Sequence, residues 1–449
     1  MAITETQVFP PAASRCTVRV NYREDGRRHV RVIVDDPGEV GIGVAEGREL
    51  ERACRHALEQ QIPLVMEFAA NGPNPFDGLE ATFALGGAAR SLTACSGRVP
   101  TIGLLSGNAV AGPSLLLGLL DFVVVVEGSH AFVSGPAMVQ AFTGVEFDRT
   151  ELGGDAILAA AAGVASLSVA NADEADEAIG ELLDVLPSNN DQLCPRVVTF
   201  DPHDRDISEA ADILPATATG AYDVRDVIGL VADDGWFFES RPRMATNLVT
   251  GFASFGGMVT GVVANQPMAV AGTLDIPSSQ KGGRFVAFCD AFNIPLVTFV
   301  DTSGFYPGKD LEWRGMIRYG AQLAFAYARA TVPRINVTLR KSYGGAYIVM
   351  DSKNMGNDLA YAWPSAEIAV MGAKGAVEIL HRGADEQERV ELEQAYEDRL
   401  LNPYIAAQRG SVDAVIAPSD TRKEVIAGLR LLLTKQEKTP RRRHDNTPL

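Results

Sequence analysis

With 449 residues, 46% hydrophobic and 22% charged, the chain is too long for one ordinary core and too apolar to be disordered, so two globular domains are expected. A net charge of −17 argues against a nucleic-acid binder and obliges any anionic substrate to find a local basic pocket. Five scattered cysteines, with no CxxC and no Cys/His cluster, point to reduced thiols in a cytoplasmic setting and to no metal site.

In chain order, residues 1–30 read as a polar, irregular N-terminal arm without the apolar core of a signal peptide, and Arg31 to Val34 as an edge strand. Glu46 to Gln61 has helical spacing, and Ile62-Pro-Leu-Val-Met-Glu-Phe68 reads as a strand. The Gly/Pro/Asn-rich loop Asn71 to Gly78 leads to a helix over Leu79 to Ser96 and a strand over Val99 to Leu105. The turn Ser106-Gly-Asn-Ala-Val-Ala-Gly112 and an apolar helix follow, in the β-turn-α-β order of a stacked α/β fold. Leu115 to Val126 is broken by Gly118 and Asp121 and is too short to span a bilayer; it is expected to be one buried element and not a membrane anchor. Ala172 to Leu186 reads as an acidic amphipathic helix ahead of a polar linker.

The second half repeats this layout. Phe252 to Val263 and Gln266 to Asp275 read as its opening strands, and Gly283 to Asn293 as a helix. Ile294-Pro-Leu-Val-Thr-Phe-Val300 then answers Ile62 (294 − 62 = 232), and the loop Thr302-Ser-Gly-Phe-Tyr-Pro-Gly308 answers the earlier one. Val332-Pro333 answers Val99-Pro100 (332 − 99 = 233), and Gly345 answers Gly112 (345 − 112 = 233). A repeat this long means a duplicated domain and not a solenoid. The predicted division is an arm at 1–30, a first domain at 31–190, a linker at 191–218 and a second domain at 219–449. The tail Pro440-Arg-Arg-Arg-His444 is a basic, solvated or subunit-contacting end.

The chemistry-bearing stretch is Arg340-Lys-Ser-Tyr-Gly-Gly-Ala-Tyr-Ile348, after the apolar strand Pro333 to Leu339. Gly344, Gly345 and Ala346 let backbone N–H groups approach a ligand at a helix start, as an oxyanion site requires. A lone Gly-Gly-Ala is more often a plain bend; its counterpart around Ala111 and Gly112 favours the functional reading. The chain has no nucleophile elbow, zinc-protease helix, P-loop or well-placed dinucleotide fingerprint. His130 and His381 read as structural. Two backbone oxyanion sites suit a reaction with an enolate-like species on each partner. Lys281 and Arg284, at a helix start, are either a solvated basic turn or a phosphate-capturing pair.

Asn265-Gln-Pro-Met268, Phe288-Cys-Asp-Ala-Phe-Asn-Ile-Pro295, Thr298-Phe-Val-Asp301, Gly304-Phe-Tyr-Pro-Gly308, Lys341-Ser-Tyr-Gly-Gly-Ala-Tyr347, Ala362-Trp-Pro-Ser365 and Leu401-Asn-Pro-Tyr404 carry a resemblance. In the first half Ser134-Gly-Pro136, Glu151-Leu-Gly-Gly154 and Leu186-Pro-Ser-Asn-Asn190 add to it. The chain resembles the carboxyltransferase (beta) subunits of biotin-dependent acyl-CoA carboxylases, propionyl-CoA carboxylase among them. The resemblance implies two tandem crotonase-like domains, a homohexamer, and CO2 transfer from carboxybiotin on a separate carrier protein to the α-carbon of an acyl-CoA thioester. The implied partner is the biotin carboxylase and biotin carboxyl carrier (alpha) subunit; no nucleic acid, membrane or metal is implied. It puts the biotin-side oxyanion N–H groups at Gly345 and Ala346 and the acyl-side ones at Ala111 and Gly112. Gly344, Tyr347, Ile348, Phe305 and Pro307 fall at substrate- or biotin-binding positions, with Ile348 lining the acyl pocket.

Departures from the family pattern cluster in the first half. Ala69-Ala-Asn-Gly-Pro-Asn-Pro75 lacks the usual arginine, Ala111-Gly112 replaces a Gly-Gly pair, and Pro113 follows with no N–H to donate. Two other readings stand beside carboxyl transfer: a decarboxylase subunit running the reverse reaction, and a non-catalytic scaffold paralogue.

Overall fold

The computed structural model describes residues 4–7, 14–23, 25–36, 40–217, 220–440 and 443–448 and divides into two compact units, Met1–Pro195 and Arg196–Leu449. The proposed domain limits at 218 and 219, and Arg441, Arg442 and Leu449 of the C-terminal end, lie outside the described residues.

The first unit is a sheet of β1 (Thr4–Gln7), β2 (Cys16–Tyr22), β3 (Arg28–Asp35), β4 (Leu64–Ala70), β5 (Thr101–Val110), β6 (Phe122–Val126), β7 (His130–Phe132) and β8 (Leu167–Val169). Its order is β1-β2-β3-β4-β5-β6-β8, with β7 paired to β5. The β1–β2 and β2–β3 pairs are antiparallel, and every later pair is parallel. Parallel neighbours need crossovers, and helices α1 (Val44–Gln60), α2 (Leu79–Cys95) and α3 (Gly112–Leu119) lie between the strands in sequence, with α4 (Ala172–Val185) following β8. Leu50, Cys54 and Leu92 from the helices pack with Val18, Val32, Leu64 and Phe68 from the strands in one core.

Three expectations fail here. The stretch read as an irregular arm contains β2, where Cys16, Val18 and Val20 are buried and Thr17 and Arg19 less so, the period-2 alternation of a half-buried strand. It covers β3, so Arg31 to Val34 lies inside the sheet and not at its edge. Leu115 to Val126 is two elements, the end of α3 and β6, parted at Asp121. The Asp121 Oδ2 accepts from the Thr101 N–H at 3.0 Å and from its hydroxyl at 2.8 Å, fixing the start of β5.

The second unit holds β9 (Phe237–Ser240), β10 (Leu248–Phe255), β11 (Met258–Asn265), β12 (Leu296–Thr302), β13 (Arg334–Tyr343), β14 (Leu359–Ala362), β15 (Glu367–Ala369) and β16 (Ala414–Val415). The order is β16-β14-β13-β12-β11-β10-β9, with β15 paired to β13: the first sheet over again. Helices α5 (Ile276–Ala291), α6 (Met316–Arg329) and α7 (Gly344–Val349) correspond to α1, α2 and α3. The opening hairpin sits earlier than expected, because Gly256 and Gly257 (φ 60° and 76°) make a tight turn between β10 and β11. Most of the segment read as a linker belongs to this unit, where Ile207 and Ala210 are fully buried in the core with Val227, Val262, Phe299 and Trp363.

The repeat holds to the register. In the first sheet Phe68 pairs with Leu105 and then Ala70 with Ala109, leaving a bulge over 106–108. In the second, Val300 pairs with Thr338 and then Thr302 with Ser342, leaving the same bulge over 339–341. Matching positions differ by 300 − 68 = 232 on one strand and 342 − 109 = 233 on the other. Bulges in parallel pairs are rare and re-aim side chains beside functional sites.

Candidate active site

Each bulge delivers its strand into a left-handed first residue and then a helix. In the second unit β13 runs further than its apolar core suggests, to Tyr343, and α7 starts at Gly344 with φ 56°. A Cβ at Gly344 would stand 3.0 Å from the Val370 carbonyl oxygen, so only glycine fits without strain. Gly345 and Ala346 follow in the first turn of α7, where N–H groups have no intrahelical partner. Ala346 is buried, while Gly345 and Ile348 are open to solvent and Tyr347 is half-buried. A groove of ≈ 330 Å³ runs beside them, walled by Phe305, Met316, Gly320, Gly345 and Ile348. The Phe305 ring is wedged between two glycines: an added Cβ would come within 3.2 Å of it at Gly320 and at Gly345.

In the first unit Ala111 takes the place of Gly344, with φ 57°, a conformation an L side chain rarely adopts. Its N–H already donates to the Phe132 carbonyl at 3.0 Å. The sequence assignment of Ala111 as an oxyanion donor therefore does not fit the geometry. The positions matching Gly345 and Ala346 are Gly112 and Pro113 (345 − 112 = 233, 346 − 113 = 233), and proline has no N–H. This turn presents one first-turn N–H, from Gly112, where its twin presents two.

Lys281 and Arg284 do not act as a pair. Helix α5 begins at Ile276, not Gly283, so Lys281 lies in its second turn and faces inward, 3% exposed. Its ammonium donates to the Arg241 and Met244 carbonyls, both at 2.9 Å, and burial lowers its pKa to about 7. A group so committed is unavailable to a phosphate. Gly282 and Gly283 lie inside this helix as packing glycines; a Cβ at Gly282 would meet Leu248 at 2.9 Å. Arg284 is exposed on the same helix, at a groove formed with α6, and Pro307 is exposed two residues beyond Phe305. His130 lies 3.3 Å from the Thr150 hydroxyl, and His381 ends the helix Ala373–Leu380.

Sequence reasoning does not find the buried polar set under the second turn. Asp301, the last residue but one of β12, accepts from Arg340 Nε and from the Tyr222 hydroxyl through Oδ2, both at 2.9 Å. Its Oδ1 accepts from the Lys341 N–H at 3.1 Å. The usable signal is a charged residue ending each of two apolar strand runs, Asp301 and Arg340. Among the described residues no group of three or more His, Cys, Asp or Glu side chains could hold a metal, and no helix is long and apolar enough to cross a membrane.

A family model for the carboxyl transferase domain matches residues 25–447. The chain belongs to the carboxyl transferase family. It is 43% identical over 409 residues to the propionyl-CoA carboxylase carboxyltransferase subunit of Haloferax mediterranei, covering 89% of this chain and 79% of that one. It is 39% identical over 409 residues to the methylmalonyl-CoA decarboxylase subunit alpha of Veillonella parvula, covering 91% and 80%. The crystal structure of transcarboxylase 12S, described as a hexamer assembly with methylmalonyl-coenzyme A and methylmalonic acid bound, overlays with a TM-score of 0.95. Its sequence identity is 35%, over 100% of this chain and 90% of that one. The two duplicated α/β units are thus tandem crotonase-like domains.

Proposed function

We propose that the chain is the carboxyltransferase subunit of a biotin-dependent acyl-CoA carboxylase, carrying CO2 to the α-carbon of an acyl-CoA. The observation that carries this reading is the duplicated strand–bulge–turn, whose second copy puts Gly345 and Ala346 in the first turn of a helix, with Gly345 on the wall of an open groove. Biotin on a separate carrier protein supplies the activated CO2 when bound. The second unit fits such a group: the groove is apolar along Phe305, Met316 and Gly320, and Gly345 leaves room that a Cβ would fill. There Gly345 and Ala346 donate to an anionic oxygen, and Phe305, Tyr347 and Ile348 border it. In the first unit Gly112 donates to the thioester oxygen, where negative charge develops during transfer, at the N-terminus of an eight-residue helix whose dipole favours that charge.

The reading extends to assembly as a homohexamer, a cytoplasmic location, and partnership with a biotin carboxylase and carrier subunit. Its support is the likeness to transcarboxylase 12S and to propionyl-CoA carboxylase subunits. The test supplies biotinylated carrier, biotin carboxylase, ATP and labelled bicarbonate, and screens acyl-CoAs for acid-stable label. No labelled product, with the carrier shown to be carboxylated, refutes the reading. Because the Veillonella parvula relative is a decarboxylase subunit, the same mixture run from a carboxyacyl-CoA measures the reverse direction.

A further inference from the structure

The ion pair between Asp301 and Arg340 is costly, and the fold does not require it. Asp301 is 2% exposed and Arg340 8%. Burial raises the Asp301 carboxyl above its ordinary range, and the Arg340 guanidinium pulls it back. Taking two charges out of water often gains nothing over a well-packed apolar pair. The first unit makes that replacement. At the positions of Asp301 and Arg340 it has Ala69 (301 − 69 = 232) and Gly107 (340 − 107 = 233), and a Cβ built at Gly107 would lie 3.2 Å from that of Ala69. It keeps the strand order, the bulge and the left-handed turn residue, φ 57° at Ala111 against 56° at Gly344.

What the pair adds is connection. Arg340 sits in the bulge, four residues before Gly344, and its guanidinium ties β13 to the end of β12. A second nitrogen of that guanidinium donates to the Gly220 carbonyl at 2.8 Å, and the Tyr222 hydroxyl closes the set on Asp301. Asp301 also accepts the Lys341 N–H, so both Arg340 and Lys341 of the bulge are held by one carboxylate. Three residues past the end of β12, the chain that carries Asp301 reaches Phe305, whose ring lies against Gly345. One segment therefore grips the turn at its base through Asp301 and at its tip through Phe305.

We propose that Asp301 and Arg340 are positioning residues for carboxyl transfer, fixing the bulge so that the Gly345 and Ala346 N–H groups keep their direction toward an anionic oxygen. This rests on the function proposed above. The first unit, with one such N–H at Gly112, has no buried ion pair at these positions; its bulge is tied by more exposed contacts, Ser106 to Glu67 at 3.2 Å and Asn108 to Asn71 at 3.4 Å.

The test copies the first unit's solution into the second, in the full chain with carboxylated carrier. The double variant Asp301→Ala/Arg340→Gly is expected to fold with a thermal midpoint nearer wild type than Asp301→Ala alone, which leaves a buried guanidinium unpaired. Its kcat is expected to fall roughly 10²-fold, the scale of a misplacement of about 1 Å. Its KM for acyl-CoA should stay at the wild-type value. Arg340→Lys, which keeps the charge but cannot reach Asp301 and Gly220 together, should also fold and lower kcat without moving KM. Wild-type kcat in both folded variants overturns the proposal, as does a parallel rise in KM. If the double variant fails to fold, Arg340→Lys decides by the same kcat and KM readings. A wild-type chain that transfers no label sinks the proposed function instead, a distinct result.

Discussion

Exchanging the residues at 346 and 113 tests the two turns against each other. Ala346→Pro removes one N–H without breaking a helical hydrogen bond, because first-turn N–H groups have no partner in α7 and proline is tolerated there. The backbone accepts the ring in principle: Pro113 occupies the matching position, buried, with α3 intact behind it. Ala346 is itself fully buried, so some repacking is expected, a cost of about 1–3 kcal/mol by analogy with other overpacked cores. Loss of one oxyanion donor lowers kcat by about 10²–10³, or roughly 2.7–4 kcal/mol of barrier. The assay is label transfer from bicarbonate into acid-stable acyl product, with circular dichroism to show that the variant folds. The reciprocal Pro113→Ala supplies a second donor on the other side and should raise kcat wherever formation of the thioester enolate limits turnover. Undiminished turnover by a folded Ala346→Pro enzyme would refute the oxyanion role.

Two further outcomes follow from buried groups and a third from a strained backbone. Arg334 and Asp351 pair at 2.6 Å with side chains 1% and 0% exposed, so Asp351→Ala should cost about 3–5 kcal/mol in chemical denaturation; a loss under about 1 kcal/mol would contradict it. Burial holds the Lys281 pKa near 7, below its ordinary 10.5, so between those values the unfolded chain binds the extra proton and stability from this group rises with pH. The stability of wild type minus Lys281→Met, measured by urea melts at pH 6.5 and 9.5, should therefore grow with pH, and a flat or falling difference would exclude the shift. Ala111→Gly relieves a side chain held at φ 57° and should raise stability by about 1 kcal/mol, after the entropy cost of glycine; clear destabilisation would mean that no strain is stored there.

The duplication is plain in the sequence because its markers are local: apolar runs, an Ile-Pro or Val-Pro at a strand start, and Gly-rich turns at an offset of 232 to 233. The turn at 344–346 is legible for the same reason. What escapes depends on partners far apart in the chain. Asp301 meets Arg340 across 39 residues and Tyr222 across 79, and no window of sequence holds all three. Lys281 looks like a surface cation because Gly282-Gly283 mimics a turn; the helix that buries it starts earlier, capped by Asp275 on the Ser278 N–H. The donor assignment at Ala111 slips by one residue, since only the β5–β7 pairing shows its N–H spent on Phe132.

Because the two units share strand order, bulge and turn angle, the differences between them lie in side chains and not in topology. Each difference removes a feature from the first unit: a donor at Pro113, a clamp at Ala69 and Gly107, and glycine's freedom at Ala111. A backbone that survives all three losses is held by its sheet and core, with Phe68, Leu105 and Leu117 buried around the turn's base as Phe299, Val337 and Leu339 are in the copy. The first unit thus reaches the same strand order, bulge and turn angle without the charged pair, and the Asp301, Arg340 and Ala346 variants separate what those residues do for folding from what they do for transfer in the second unit.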